Sequence, residues 1–297
     1  MKAFSFTAEK GVPQIGIEYK QEFYNFSLAW EFYKQLKNKG QGPELNFLQV
    51  MVEVDFFHLD TFQEVVFALQ KVRPMDDLKL KPPYNFLPPV GRPQKILCVG
   101  RNYRGHAEEL GNAVPEEPIF FCKAPSAMIG HEERIHIPPD TGRVDFEGEL
   151  ALVVGKQGHR IKEKDALDYI AGFSLLNDVT ARDTQKKDQK SGRPWFRSKS
   201  FDTFCPFGPF LLPKEAIHDF DDLDLLVRLN GDVRQTASSS DMIFSFAEII
   251  SYISKYCTLV PGDVIATGTP PGVGELRSGD TVEVEVVEIG TLRNTVE

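Results

Sequence analysis

Residues 144–155 read VDFEGELALVVG. Alternate side chains of an extended backbone share a face. Glu147, Glu149, Ala151 and Val153 therefore leave one side of this segment, and Phe146, Leu150, Leu152 and Val154 leave the other. A strand apolar on both faces is a buried strand. Two carboxylates at its mouth would repel each other and lose their hydration unless a cation compensates them. A solvated strand end, or neutralisation by Arg and Lys side chains, would serve as well as a metal ion on this motif alone. GFSLLND (172–178) is a second apolar run that ends on an acid, Asp178, before the chain turns into TARDTQ. Three carboxylates with no histidine or cysteine beside them form a hard-oxygen set suited to magnesium, manganese or calcium rather than zinc. Such an ion keeps open positions for a 2-oxo carboxylate, whose keto oxygen it can polarise towards an enolate.

Outward from this segment the pattern is of short strands: KILCVG (95–100), PIFFCKA (118–124), LDLLVRLN (223–230), DVIATG (263–268) and TVEVEVVEIG (281–290). Asn230-Gly231 supplies the two positive-φ residues of a hairpin turn, and Val282, Val284 and Val286 alternate with Glu283 and Glu285 as on a half-exposed strand. Helical spacing is confined to Tyr103–Leu110, Lys164–Ile170 and Ser245–Tyr256. Nearer the start, KAFSFT (2–7) and PQIGIEY (13–19) read as a hairpin, and Leu28–Leu36 and Phe62–Val72 as helices. Prolines concentrate through Lys79–Arg92, where they remove donors and bias their predecessors to extended backbone. The expectation is an α+β protein, mainly β: a small α+β domain over 1–80, a proline-rich linker over 81–93, and a larger domain over 94–297.

The 297 residues suit about two domains. With 41% hydrophobic and 26% charged residues the chain can build a packed core. Its 34 Lys and Arg against 43 Asp and Glu leave a net charge of −9, which repels a phosphate backbone and excludes nucleic acid as a partner class. An anionic substrate would need basic side chains gathered locally. No apolar stretch approaches the roughly 20 residues of a membrane span, and no signal-peptide core opens the chain. The cysteines, Cys98, Cys122, Cys205 and Cys257, form no C-x-x-C pair and read as reduced thiols of a cytoplasmic protein.

Three further features carry chemistry. In GRNYRGHAEEL, His106 and Glu109 lie three apart, so on a helix the carboxylate can orient the imidazole as a general base; the plain alternative is a solvated helix. Lys199 sits among aromatic and small residues, where a buried ammonium requires an anionic partner. DVIATGTPPGVG places Gly268, Thr269, Gly272 and Gly274 in a loop whose backbone donors can approach an anion; packing alone would also explain those glycines.

Taken in order, CVGRNYRGHAEE (98–109), VDFEGELALVVGK (144–156), LLNDVTARDTQ (175–185), RPWFRSKSFDTFCPFGP (193–209), LNGDVRQ (229–235) and DVIATGTPPGVG (263–274) resemble the fumarylacetoacetate hydrolase family, from about Lys95 to the C-terminus. The resemblance implies a rolled mixed β-structure in which Glu147, Glu149 and Asp178 ligate Mg2+ or Mn2+, with Ca2+ acceptable in a crystal. It implies that His106 and Glu109 form a water-activating dyad on a lid, and that Lys199 supports the substrate or the metal shell. By the same matching Arg101, Arg182, Gln185 and Thr269 line the pocket of a small 2-oxo acid, and the protein is a homodimer. Gly148 departs from relatives that carry a side chain between the paired acids, and the first 90 residues match the family less clearly. Members divide among C–C bond hydrolysis of acylpyruvates, isomerisation of unsaturated 2-hydroxy diacids and decarboxylation of 2-oxo diacids. The paired His106 and Glu109 favour hydrolysis of an acylpyruvate or fumarylpyruvate, with isomerisation or tautomerisation next. A binding protein without catalysis is the reading from another class, and it would lack one of these residues.

Overall fold

The alternating runs of the sequence become strands, and the buried ones stack into one long sheet. The computed structural model describes residues 1–8, 11–37, 43–72, 75–109, 111 and 113–297. The chain begins with β1 (Lys2–Thr7), β2 (Pro13–Tyr19) and β3 (Glu22–Asn25), followed by helices α1 (Phe26–Leu36), α2 (Leu48–Glu53) and α3 (Leu59–Gln70). Next come β4 (Asn85–Leu87), β5 (Ile96–Gly100), α4 (Arg104–Glu109), β6 (Ile119–Lys123), β7 (Met128–Ile129) and β8 (Arg134–Ile135). β9 (Val144–Phe146), β10 (Gly148–Val154), β11 (Ile170–Asn177), β12 (Thr180–Ala181), α5 (Arg182–Lys190), α6 (Phe196–Lys199) and β13 (Cys205–Pro213) make the centre. The rest is β14 (Asp224–Leu229), β15 (Asp232–Ser238), α7 (Phe246–Ile253), β16 (Val264–Ala266), β17 (Gly274–Glu275), β18 (Thr281–Val286) and β19 (Gly290–Val296).

The architecture is mainly β, in mixed sheets, as the sequence implied. The largest sheet runs β3-β2-β1-β13-β11-β10-β16-β5-β6, with β4 beside β1 and β7 beside β13. A five-stranded sheet, β15-β14-β18-β19-β8, and a small one, β12-β9-β17, complete it. The two faces of β10 serve two cores. Leu150, Leu152 and Val154 pack with Val227, Val284 and Ile250, whereas Ala151 and Val153 pack with Ile96, Val264 and the N-terminal Ile17, Phe26 and Phe62. That explains a strand apolar on both sides.

The proline-rich segment contains β4, which pairs with β1 (Ser5↔Leu87), and β1 pairs in turn with β13 (Ala3↔Leu211). The largest sheet is thus continuous across residues 81–93.

Several expectations change in detail. The run 144–155 is not one strand: β9 ends at Phe146, and Glu147 is the junction before β10. Residues 281–290 form not one strand but β18 and the start of β19, a hairpin with Val286 opposite Gly290. Lys164–Ile170 is a three-ten helix over Glu163–Tyr169. The helix expected over Tyr103–Leu110 is α4, and Leu110 lies outside the described residues. β13 escaped the strand reading because Pro206, Pro209 and Pro213 argue against a central strand; its ladder with β11 accommodates them through a register shift opposite Phe173–Leu175. α5, RDTQKKDQK, has almost no apolar residue to show a stripe.

Candidate active site

The mouth of β10 lies where the largest sheet meets the small one, and the junction at Glu147 is tied down from both sides. Asn177 Oδ1 accepts from Glu147 N at 2.9 Å, and Asp178 N donates to Glu147 O at 2.8 Å. This clamps the end of β11 to the end of β10, so that Glu147, Glu149 and Asp178 each offer an oxygen within 4.8 Å of the others, all three buried. Gly148 between the acids is a close approach: a Cβ there would run into methyls of Val227 and Val284.

Cations meet two of the acids and leave the third. Lys199 Nζ donates to Asp178 Oδ2 at 2.5 Å and to Glu147 Oε2 at 2.8 Å. Lys123 Nζ donates to Asp178 Oδ1 at 2.6 Å, and Arg182 Nη2 to Glu147 Oε1 at 2.5 Å. Neutralisation by Arg and Lys therefore occurs at Glu147 and Asp178. Among the described residues Glu149 has no cationic partner, and its carboxylate accepts only the Gly268 N–H, at 2.8 Å.

The electrostatics follow. Burial opposes the charge of Glu147, but Lys199, Arg182 and His106 outweigh it and hold the carboxyl well below the ordinary range. Burial and the charges of Asp178 and Glu147 push Glu149 well above that range, with Lys199 and the Gly268 N–H opposing. Burial disfavours the Lys199 ammonium, yet Asp178 and Glu147 raise it above an ordinary lysine, so it is a fixed cation and not a base. A buried oxygen set with one uncompensated carboxylate fits a hard divalent cation.

α4 brings His106 into the wall of the cavity that the three acids line. His106 is buried, and its Nδ1 has no hydrogen-bond partner, the nearest carboxylate oxygen being Glu109 Oε2 at 3.5 Å. Glu109 instead accepts from Gly272 N at 3.1 Å, pinning α4 to the 269–274 loop. Burial lowers the imidazole pKa, with Arg182 and Lys199 adding to it and Glu147 and Glu109 opposing, which favours the neutral ring.

A cavity of about 150 Å³ is lined by Arg101, His106, Glu147, Glu149, Asp178, Arg182, Gln185, Lys199 and Thr269. Glu109 is not part of this lining. Arg182 is fully engaged, since Nε donates to Asp145 at 2.8 Å and Nη1 to Gln185 at 2.7 Å besides its bond to Glu147. The Thr269 hydroxyl donates to Gly148 O at 2.8 Å. Arg101 differs: its φ is +60°, its guanidinium lies 5.6 Å from the Trp195 ring centre, and among the described residues it has no carboxylate partner. A positive φ in a residue with a long side chain is uncommon and places that side chain deliberately.

Sequence reasoning passed over Lys123, Asp145, Asn177, Lys186, Trp195 and Gln235. A lysine closing the apolar run PIFFCK was a usable signal for Lys123. Gln235 closes the LNGDVRQ motif, but nothing local marks its side chain as turned inward.

The described residues include no helix long and apolar enough to cross a membrane. The fumarylacetoacetate (FAA) hydrolase C-terminal family matches residues 95–297. The mitochondrial oxaloacetate tautomerase of Bos taurus is 45% identical over 71% of this chain and 69% of its own length. A fumarylacetoacetate hydrolase from Exiguobacterium antarcticum superposes with a TM-score of 0.82 at 33% identity, covering 100% of this chain and 99% of that one. A fumarylpyruvate hydrolase from Pseudomonas aeruginosa, solved with Mn2+ and pyruvate, reaches a TM-score of 0.66 at 33% identity over 71% of this chain and 91% of that one.

Proposed function

The chain belongs to the fumarylacetoacetate hydrolase family of enzymes, and from that membership we propose that it is a divalent-metal-dependent enzyme that enolises a small 2-oxo diacid. Glu149 carries the reading: a buried carboxylate facing two others, with no cation bonded to it among the described residues, is stabilised as an anion by a bound ion. Glu147, Glu149 and Asp178 would hold Mg2+ or Mn2+, which when bound supplies Lewis acidity at the 2-oxo oxygen of the substrate.

The remaining work belongs to side chains. His106, buried at the cavity wall with a pKa that burial lowers, takes the proton from C3 of the substrate. Lys199 remains protonated and fixes the two acids it bridges. Arg101 and Lys186, the cavity-lining cations without a carboxylate partner among the described residues, receive the distal carboxylate of the diacid. α4, pinned by Glu109 to Gly272, excludes water.

Tautomerisation moves one proton between C3 and the 2-oxo oxygen. It suits a cavity below the roughly 300–1,000 Å³ of sites for drug-sized ligands, and a histidine whose Nδ1 makes no hydrogen bond to Glu109. The likeness to an oxaloacetate tautomerase supports it. C–C hydrolysis of an acylpyruvate is the second reading, carried by Glu109 Oε2 at 3.5 Å from His106 Nδ1, a distance that a bound substrate can shorten so that the pair activates water. The test is turnover, with Mn2+ or with chelator, of enol-oxaloacetate and of a set of acylpyruvates. Faster enol decay without new carboxylic acid products supports tautomerisation, and pyruvate release from acylpyruvates supports hydrolysis. His106→Ala is expected to lower the rate about 10²–10⁴-fold with Mn2+ binding retained, and unchanged turnover would remove His106 from the mechanism.

A further inference from the structure

β15 is an edge strand of the five-stranded sheet, and Gln235 is its one buried residue. The cause is local. Val227 pairs with Gln235 and Arg228 with Val233, so Arg234 is the extra residue of a bulge, and a bulge re-aims the side chains around it. The Arg234 carbonyl then lies where a Cβ of Gly272 would stand, so only glycine fits beneath it, and Gln235 points inward.

All its amide bonds end on the active-site backbone and on one hydroxyl. Oε1 accepts from Gly148 N at 3.1 Å, between Glu147 and Glu149. Nε2 donates to Thr269 Oγ1 at 2.8 Å and to Pro270 O at 2.6 Å. Thr269 closes the ring by donating to Gly148 O at 2.8 Å. One side chain from the neighbouring sheet thus joins the turn that presents two acids to the loop that presents Gly268 N–H to Glu149 and Gly272 N–H to Glu109.

We propose that Gln235 is a positioning residue that sets the spacing of the Glu147 and Glu149 carboxylates and couples it to the Thr269 loop, so that divalent-metal affinity and substrate affinity both depend on it through separate ends of one amide. The inference rests on the functional reading above for the metal. Residues that orient the groups holding a metal ion change its affinity by about 10–100-fold when replaced.

The test is a Mn2+ titration of the full chain by electron paramagnetic resonance, with steady-state kinetics, for Gln235→Leu, Gln235→Glu and the exposed control Val233→Ala. Gln235→Leu is expected to weaken Mn2+ binding about 10–100-fold. Gln235→Glu keeps the acceptor for Gly148 N–H and loses both donors; it should bind Mn2+ within about threefold of wild type or tighter, while KM rises more than kcat falls. That split is not the signature of general loosening, and Gln235→Glu decides the matter where Gln235→Leu fails to fold. Unchanged Mn2+ affinity in folded Gln235→Leu, or an unchanged KM in Gln235→Glu, would overturn the proposal. A wild-type chain that binds no Mn2+ would overturn the functional reading and this inference together, whereas wild-type binding with unaffected variants would overturn this inference alone.

Discussion

Lys123 Nζ lies 2.6 Å from Asp178 Oδ1, and both side chains are withdrawn from solvent. Beneath it Val179 O accepts from the same ammonium at 3.3 Å. Lysine is almost never fully buried unless paired, so this residue exists for the acid it faces. Lys123→Met is expected to lower the unfolding free energy in chelator by about 3 kcal/mol, near the lower figure for breaking a buried pair, since Lys199 still holds the other oxygen. Urea denaturation measures it, and added Mn2+ should restore part of the loss. A change within about 0.5 kcal/mol, as for a surface pair, would contradict this.

Glu149 is the acid to which no cation bonds among the described residues. Without a bound ion this buried carboxyl must either keep a poorly compensated charge or be protonated; Glu149→Gln removes that cost and retains a side-chain oxygen for the Gly268 N–H. In chelator it should therefore be at least as stable as wild type. In excess Mn2+ the order should reverse, because a ligand present at about 100 times its Kd adds about 2.7 kcal/mol to the form that binds it. Thermal melting of both proteins with and without Mn2+ reads the crossing; parallel shifts would count against Glu149 as a ligand.

His131 supplies a pH test away from the site. Its Nδ1 accepts from Arg293 N at 3.1 Å, and its ring meets Phe86 edge-on at 5.2 Å. Burial lowers its pKa, Glu132 opposing and Arg293 adding. Above pH about 6.5 the ring is neutral in both folded and unfolded chains and contributes no pH dependence. As pH falls below that value the unfolded chain takes up the proton more readily, so stability drops towards the lowered folded pKa. The stability advantage of wild type over His131→Gln, from urea midpoints at pH 7.5, 6.5 and 5.5, should shrink on acidification. An advantage that grows would show that the ring charges in place.

Gly148→Ala places a methyl against Val227 and Val284. Overpacking of a filled core costs about 1–3 kcal/mol, and the strain falls between the two acids. Lower stability with weaker Mn2+ binding is expected, and titration together with urea denaturation checks it. Retention of both would mean that the turn relaxes freely.

Period-two alternation and apolar runs placed most central strands within a residue or two, because burial on one or both faces writes itself into adjacent positions. The same logic drew out Glu147, Glu149 and Asp178, acids at the ends of runs that had to be buried. Local pattern failed where composition contradicted context, as in the proline-bearing β13 and the polar α5.

What the sequence by itself determined about the acids was their burial and their need for compensation. Which of them is compensated, and by what, was decided by tertiary structure alone. Lys123 is 55 residues from Asp178, Arg182 is 35 from Glu147, Gln235 is 87 from Gly148, and Gly268 is 119 from Glu149. Hydrophobic periodicity acts between neighbours along the chain, whereas these bonds arise from strand order, from a bulge that turns one glutamine inward, and from the meeting of two sheets. Among the described residues Glu149 is left with no cation bonded to it by that arrangement, not by anything in the residues beside it.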